Sequence, residues 1–253
     1  MRLISTVSRV LATTIVASTA MSAGSTPAQN AARDDGVFIV GALHRLHEQE
    51  ESFTFDDLRR IVAAIRPGVM VLEVRPDELA ERKDTPGRPE YPAVIWPLLS
   101  ESGATAVAME PGPPQFAELT GQASNEMKSF ASRDPDGAKR WSSYQKSLEV
   151  VLFAHWRHPA DAHDTVTADL SRSYYVMQRV RVGDAFDAVQ SRWDKLMVDN
   201  ALAAIRKAPG KRVLVLCSYR NRYHFEDAIR PQAADRLIEM ETWLRDNLKG
   251  RAP

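Results

Sequence analysis

Apolar and polar positions alternate along this chain in blocks that read as strand, helix, strand. Val37 to Val40 is a short apolar run of the kind a buried strand needs, and it stops at Gly41. A polar stretch follows. Leu58, Ile61, Val62 and Ile65 then recur at helical spacing behind Asp56-Asp57, which suits a helix N-terminus. Arg66-Pro67-Gly68 closes that helix, and Val69 to Val74 is a second apolar run with an acid, Glu73, near its end. A third run, Ala104 to Met109, also ends in an acid, Glu110, and a fourth spans Arg212 to Cys217. Strands separated by helical stretches predict parallel pairing with crossover helices.

Between the third and fourth runs the period changes. Gln115 to Phe130, Lys139 to Phe153 and Val166 to Arg206 carry apolar residues at the helical repeat, with breaks at Arg133-Asp134-Pro135 and near Gly183. Tyr91 to Leu99 reads as a helix interrupted by Pro97, and Pro231 to Leu248 as a last amphipathic helix. The expected fold class is α/β: a central mixed or mostly parallel sheet flanked by helices, with the site at the carboxyl ends of the strands. Residues 36–250 form one domain, and about 115–206 is its helical middle region.

The N-terminal stretch has another pattern. Arg2 and Arg9 precede a modest apolar run, Val10 to Ala17, and then small residues. This reads as a signal peptide over residues 1–23, followed by a flexible lead-in over 24–35, and predicts a periplasmic or secreted protein. Beyond that segment no integral membrane span is expected.

Composition narrows the classes further. The 253 residues hold 33 Lys and Arg against 33 Asp and Glu, so no charge excess points to nucleic acid. One cysteine, Cys217, excludes an internal disulfide, and its place inside an apolar run reads as core. No Gly-x-Ser-x-Gly elbow, dinucleotide fingerprint or phosphate loop is present.

Candidate chemistry gathers at strand ends. His44 follows the first strand, Glu73 ends the second, and Arg220 and His224 follow the fourth. Imidazole and carboxylate suit zinc or manganese, and a carboxylate left unbound suits general-base work. Arg220, with Asn221 and Arg222, could instead clamp a small anion or neutralise Glu73. Arg75 is the other candidate partner for Glu73. His47 reads as part of a solvated first helical turn among Glu48, Glu50 and Glu51. His155, His158 and His163 read as a loop with exposed histidines. Trp96, Trp156, Tyr219, Tyr223 and Phe225 lie near loops and could line a pocket for a flat ligand such as haem.

Gly41-Ala42-Leu43-His44 followed by Pro67 to Glu73 resembles the TraB/Tiki and EreA/ChaN-like superfamily, whose members carry a Gly-x-x-His motif and a strand-end glutamate. Arg192-Trp193-Asp194, Met197, Asn200 and the strand after Gly210 resemble the elements before that family's second Gly-x-x-His. Here that motif reads Cys217-Ser218-Tyr219-Arg220, with His224 four residues late. The resemblance implies an exported metal-dependent hydrolase of peptide or ester bonds, or a degenerate member of that group. Its implied metal ligands are His44, Glu73 and His224, its catalytic residues Glu73, His44 and Arg220, and its metal zinc, manganese or cobalt. The substrate would be a small molecule or a peptide. The alternative is a periplasmic haem- or small-anion-binding protein without catalysis.

Overall fold

The computed structural model describes residues 33–84 and 87–248. The expected signal peptide and most of the lead-in lie outside the described residues.

Four strands form one sheet: β1 (Val37–Ala42), β2 (Val69–Leu72), β3 (Thr105–Ala108) and β4 (Val213–Ser218). Their order is β1-β4-β2-β3, and every pairing is parallel. The last strand in sequence therefore lies between the first two, with Val215 opposite Ile39 on one side and Val71 on the other. All four carboxyl ends point the same way.

The strand period of two sorts residues to two buried faces. Phe38, Val40, Met70, Leu72, Leu214 and Leu216 join one core, and Val37, Ile39, Val69, Val71, Val213, Val215 and Cys217 the other. Burial on both faces is why β1, β2 and β4 read as unbroken apolar runs. β3 departs from that expectation. It is an edge strand, as β1 is, but unlike β1 its residues are partly exposed.

On the first face lies α1 (Phe55–Ile65), started by a capping box in which the Thr54 hydroxyl accepts from Asp57 N–H and the Asp57 carboxylate accepts from Thr54 N–H. Its Leu58, Ile61, Val62 and Ile65 are buried as the spacing predicts, each worth about 2 kcal/mol of apolar burial. After α2 (Pro76–Glu81), the expected Tyr91 helix is a π-type turn, Tyr91–Ile95, running into α3 (Trp96–Ser102). Pro97 does not break it: the π-type turn shifts the backbone bonds ahead of the proline, and the Ala93 carbonyl four residues upstream accepts from Arg59 Nη2 at 2.9 Å.

The helical middle is α4 (Pro113–Arg133), α5 (Pro135–His155), α6 (Thr165–Val182) and α7 (Asp184–Arg206). Met197, Ala201 and Ile205 of α7 cover the second sheet face, together with Phe225 and Ile229 of α8 (Arg222–Ala233). The expected last helix from Pro231 is corrected. α8 starts nine residues earlier, holds Pro231 in its last turn, and is followed by a separate α9 (Met240–Asn247). Among the described residues no helix is long and apolar enough to cross a membrane.

Candidate functional site at the strand ends

The exit of β1 is the tightest place on this rim. A Cβ on Gly41 would stand 2.8 Å from the Tyr219 Cα, so only glycine lets β1 and the turn after β4 approach this closely. Tyr219 N–H donates to the Ala42 carbonyl at 3.0 Å, tying the two exits together.

Two buried histidines hold the backbone here. Gly41 N–H donates to His163 Nε2 at 3.0 Å, and Leu43 N–H donates to His47 Nε2 at 2.9 Å. An accepting Nε2 fixes the proton on Nδ1. That proton goes to the Pro159 carbonyl from His163 (2.8 Å) and to the Phe53 carbonyl from His47 (2.7 Å). Burial lowers the pKa of His47 to about 4 and that of His163 to about 3. Both expectations for these residues are corrected. His47 is not solvated, because the chain folds back through Phe53 to cover it. His163 is not an exposed loop histidine. Of its neighbours, His155 faces Asp164 at 2.6 Å and His158 accepts the Ala160 N–H.

His44 comes next, with φ 54, a left-handed conformation uncommon for a residue bearing a side chain. Strain of this kind persists where the surroundings impose it. Its Nδ1–H donates to Glu90 Oε1 at 2.7 Å. Glu90 is fully buried, and its other oxygen has no partner among the described residues. The imidazole is half-buried, and its Nε2 makes no hydrogen bond among the described residues.

Glu73 has a different partner from those expected. Arg75 turns to Asp77 and Glu78 of α2. Arg220 reaches Glu149 of α5 at 3.0 Å and the Tyr219 hydroxyl at 2.8 Å, and lies over the Tyr174 ring. It neither neutralises Glu73 nor stands free to clamp an anion. Glu73 is held by Arg88, whose Nη2 donates to Glu73 Oε1 at 3.0 Å and to Glu110 Oε1 at 2.7 Å. Arg88 Nη1 donates to the Glu73 carbonyl, and Ser218 N–H donates to Glu73 Oε2 at 2.5 Å. Burial pushes the Glu110 carboxyl up, against the pull of Arg88. Burial also opposes the charge on Arg88, but the two carboxylates outweigh it and raise its pKa.

His224, the third expected ligand, lies on α8. Its Nε2 is buried without a hydrogen bond among the described residues, 3.8 Å from Asp194 Oδ2 of α7. Burial, reinforced by the charge of Glu73, pushes the Asp194 carboxyl up to about 7. Tyr175 caps this pair, stacking edge-on to His224 and donating its hydroxyl to Asn221.

The segment Arg88-Pro89-Glu90 thus straps the rim, reaching β2 and β3 through Arg88 and β1 through Glu90. His44 and Glu73 are neighbours through this strap, but His44, Glu73 and His224 do not close on one point. Among the described residues no three His, Cys, Asp or Glu side chains form a group that could hold a metal ion. Each expected ligand faces its own protein partner, His44 Glu90, Glu73 Arg88 and His224 Asp194. The aromatic side chains expected around a haem pocket are core residues: Trp156, Tyr219 and Phe225 are at most 3% exposed, and Trp96 and Tyr223 are 7%.

Comparison with protein-family models, with curated proteins and with solved structures gives no match.

The residues missed in the sequence are Arg88, Glu90 and Asp194. Arg88 and Glu90 flank a proline in a polar loop, and only a lone basic residue just ahead of the apolar Tyr91–Ile95 run could have marked them. Asp194 lies within the segment resembling the family's helix, where it was given no role.

Proposed function

We propose that this chain is a hydrolase of ester or peptide bonds in which His44 is the general base. The carrying observation is the His44–Glu90 pair. A buried carboxylate takes the Nδ1 proton, fixes the tautomer, and leaves Nε2 free to accept a proton from water. The oxygen of that water then attacks the carbonyl carbon, and His44 passes the proton to the departing alcohol or amine. Glu90 stabilises the imidazolium formed between these steps, as a buried acid does behind other catalytic histidines. Glu73, Arg88 and Glu110 keep the strand ends rigid below it. The first 23 residues support an exported location.

The test is turnover of a panel of chromogenic esters and peptides. His44→Ala should lower the rate by roughly 100-fold or more. Glu90→Gln should lower it while leaving the fold intact, and chelator should leave it unchanged. Activity lost to chelator and restored by zinc, manganese or cobalt would place a metal ahead of His44. Equal rates in native protein and His44→Ala would remove the proposal.

A further inference from the structure

The two edges of the sheet are finished differently. Outside β1 the chain covers itself: Val37 N–H donates to the Arg236 carbonyl at 2.8 Å, Ile238 N–H donates to the Val37 carbonyl at 2.9 Å, and His163 takes the Gly41 N–H. β3 has no such cover. Thr105 N–H donates to the Gly68 carbonyl and Met109 N–H to the Leu72 carbonyl, both toward β2. The alternation of the ladder therefore turns the N–H and C=O of Ala106 and Ala108 away from β2. These outward groups have no backbone partner among the described residues, and both alanines are partly exposed.

Beside that edge lies a groove of about 370 Å³ between β3 and the last turns of α7. Val69, Val107, Ala203 and Ala204 give it an apolar floor. Asn200 closes its upper end by donating to the Met109 carbonyl at 2.9 Å. Lys207 and Lys211 stand at its lower end. The stem of Lys211 lies against Gly68, where a Cβ would meet it at 3.5 Å, which sets it beside the start of β2. Neither lysine makes an ion pair among the described residues, and among these residues no acid lines the groove.

An occupant must offer three things: backbone groups at strand spacing for Ala106 and Ala108, an apolar side chain for the floor, and negative charge for the lysines. A simple anion supplies only the last. The β3 strand of a second copy, Thr105-Ala106-Val107-Ala108, carries no acid to answer the lysines. We propose that this groove binds an extended acidic peptide segment, which adds a strand outside β3 and sets a carboxylate at Lys207 and Lys211. Four residues at about 3.3 Å each match the length of β3.

The test is calorimetry on the full chain with acetylated, amidated hexapeptides. Each has four alternating valines and threonines, with two glutamates at its N-terminus or its C-terminus. At least one should bind saturably. The same peptide with lysines for glutamates, or with every backbone nitrogen methylated, should bind at least tenfold more weakly. Ala106→Pro removes an outward N–H and leaves the bonds to β2 in place, so it should fold as native protein does and bind at least tenfold more weakly. Lys207→Glu and Lys211→Glu together should also leave Tm near native and lose the glutamate peptide. No saturable heat at millimolar peptide would overturn the proposal. So would equal binding of the lysine peptide, or binding unchanged by Ala106→Pro. A concentration-dependent dimer that Ala106→Pro abolishes, without peptide binding, would overturn it in favour of a second copy at this edge.

Discussion

Lowering the pH should destabilise the whole fold through the two histidines buried at the exit of β1. The unfolded chain protonates each imidazole as pH falls through 6.5, whereas native His47 holds off until about 4 and native His163 until about 3. Neutral-state stability from these rings is therefore lost as pH falls below 6.5. Between pH 7 and pH 4.5 each ring costs about 2–3 kcal/mol, or about 5 kcal/mol together. Asp194 works the other way. Its native carboxyl protonates at about 7, far above its ordinary 3.8, so native protein takes up a proton that the unfolded chain refuses. That returns about 3 kcal/mol over the same interval, and Glu110 and Glu226, also pushed up by burial, add to the return. Denaturant titration of native protein and of His163→Gln at the two pH values isolates the ring's share, because the other shifted groups contribute to both. His163→Gln keeps an acceptor for the Gly41 N–H but does not titrate, so it should lose about 2–3 kcal/mol less than native protein. Parallel stability profiles for the two proteins, or NMR resonances of either ring titrating near 6.5, would refute the reasoning.

Gly41→Ala should destabilise by about 1–3 kcal/mol or more in denaturant titration, because its Cβ meets the Tyr219 backbone, which cannot give way as a flexible side chain would. Arg88→Met should cost about 3–5 kcal/mol by leaving Glu73 and Glu110 buried without their cation. The further changes Glu73→Gln and Glu110→Gln should recover part of that loss, and no recovery in thermal melts would mean that Arg88 acts through packing alone. Cys217 is fully buried, and burial drives its thiol pKa well up, so a thiol reagent should label it only as fast as the protein unfolds.

Most of the scaffold was legible because its signals are local. The apolar runs of β1, β2 and β4, the Asp56-Asp57 start of α1 and the break at Gly183 each depend on a few adjacent residues. The pairing was not legible. Nothing within Val213–Ser218 says that it inserts between β1 and β2, since a strand buried on both faces looks the same anywhere in a sheet. The histidines were misread for a related reason. His47 sits among acids that are local company, while the Phe53 carbonyl and Leu43 N–H that claim it come from a chain reversal. Glu73 was placed at its strand end, but its cation was sought at Arg75 and Arg220, near β2 and β4. Arg88 arrives instead from a loop with no periodic signal.

The sheet order has a consequence for how this protein is made. β1 and β2 are synthesised early, yet neither can satisfy its inner edge until β4, some 140 residues after β2, is available. A nascent or truncated chain ending before Val213 exposes two apolar strands with unpaired backbone facing each other across a gap one strand wide. Such edges recruit other chains. Closure from so far along the sequence is slow, because the intervening loop must be ordered first. The three-strand pairing β1-β4-β2 therefore cannot close until Val213–Ser218 has been synthesised.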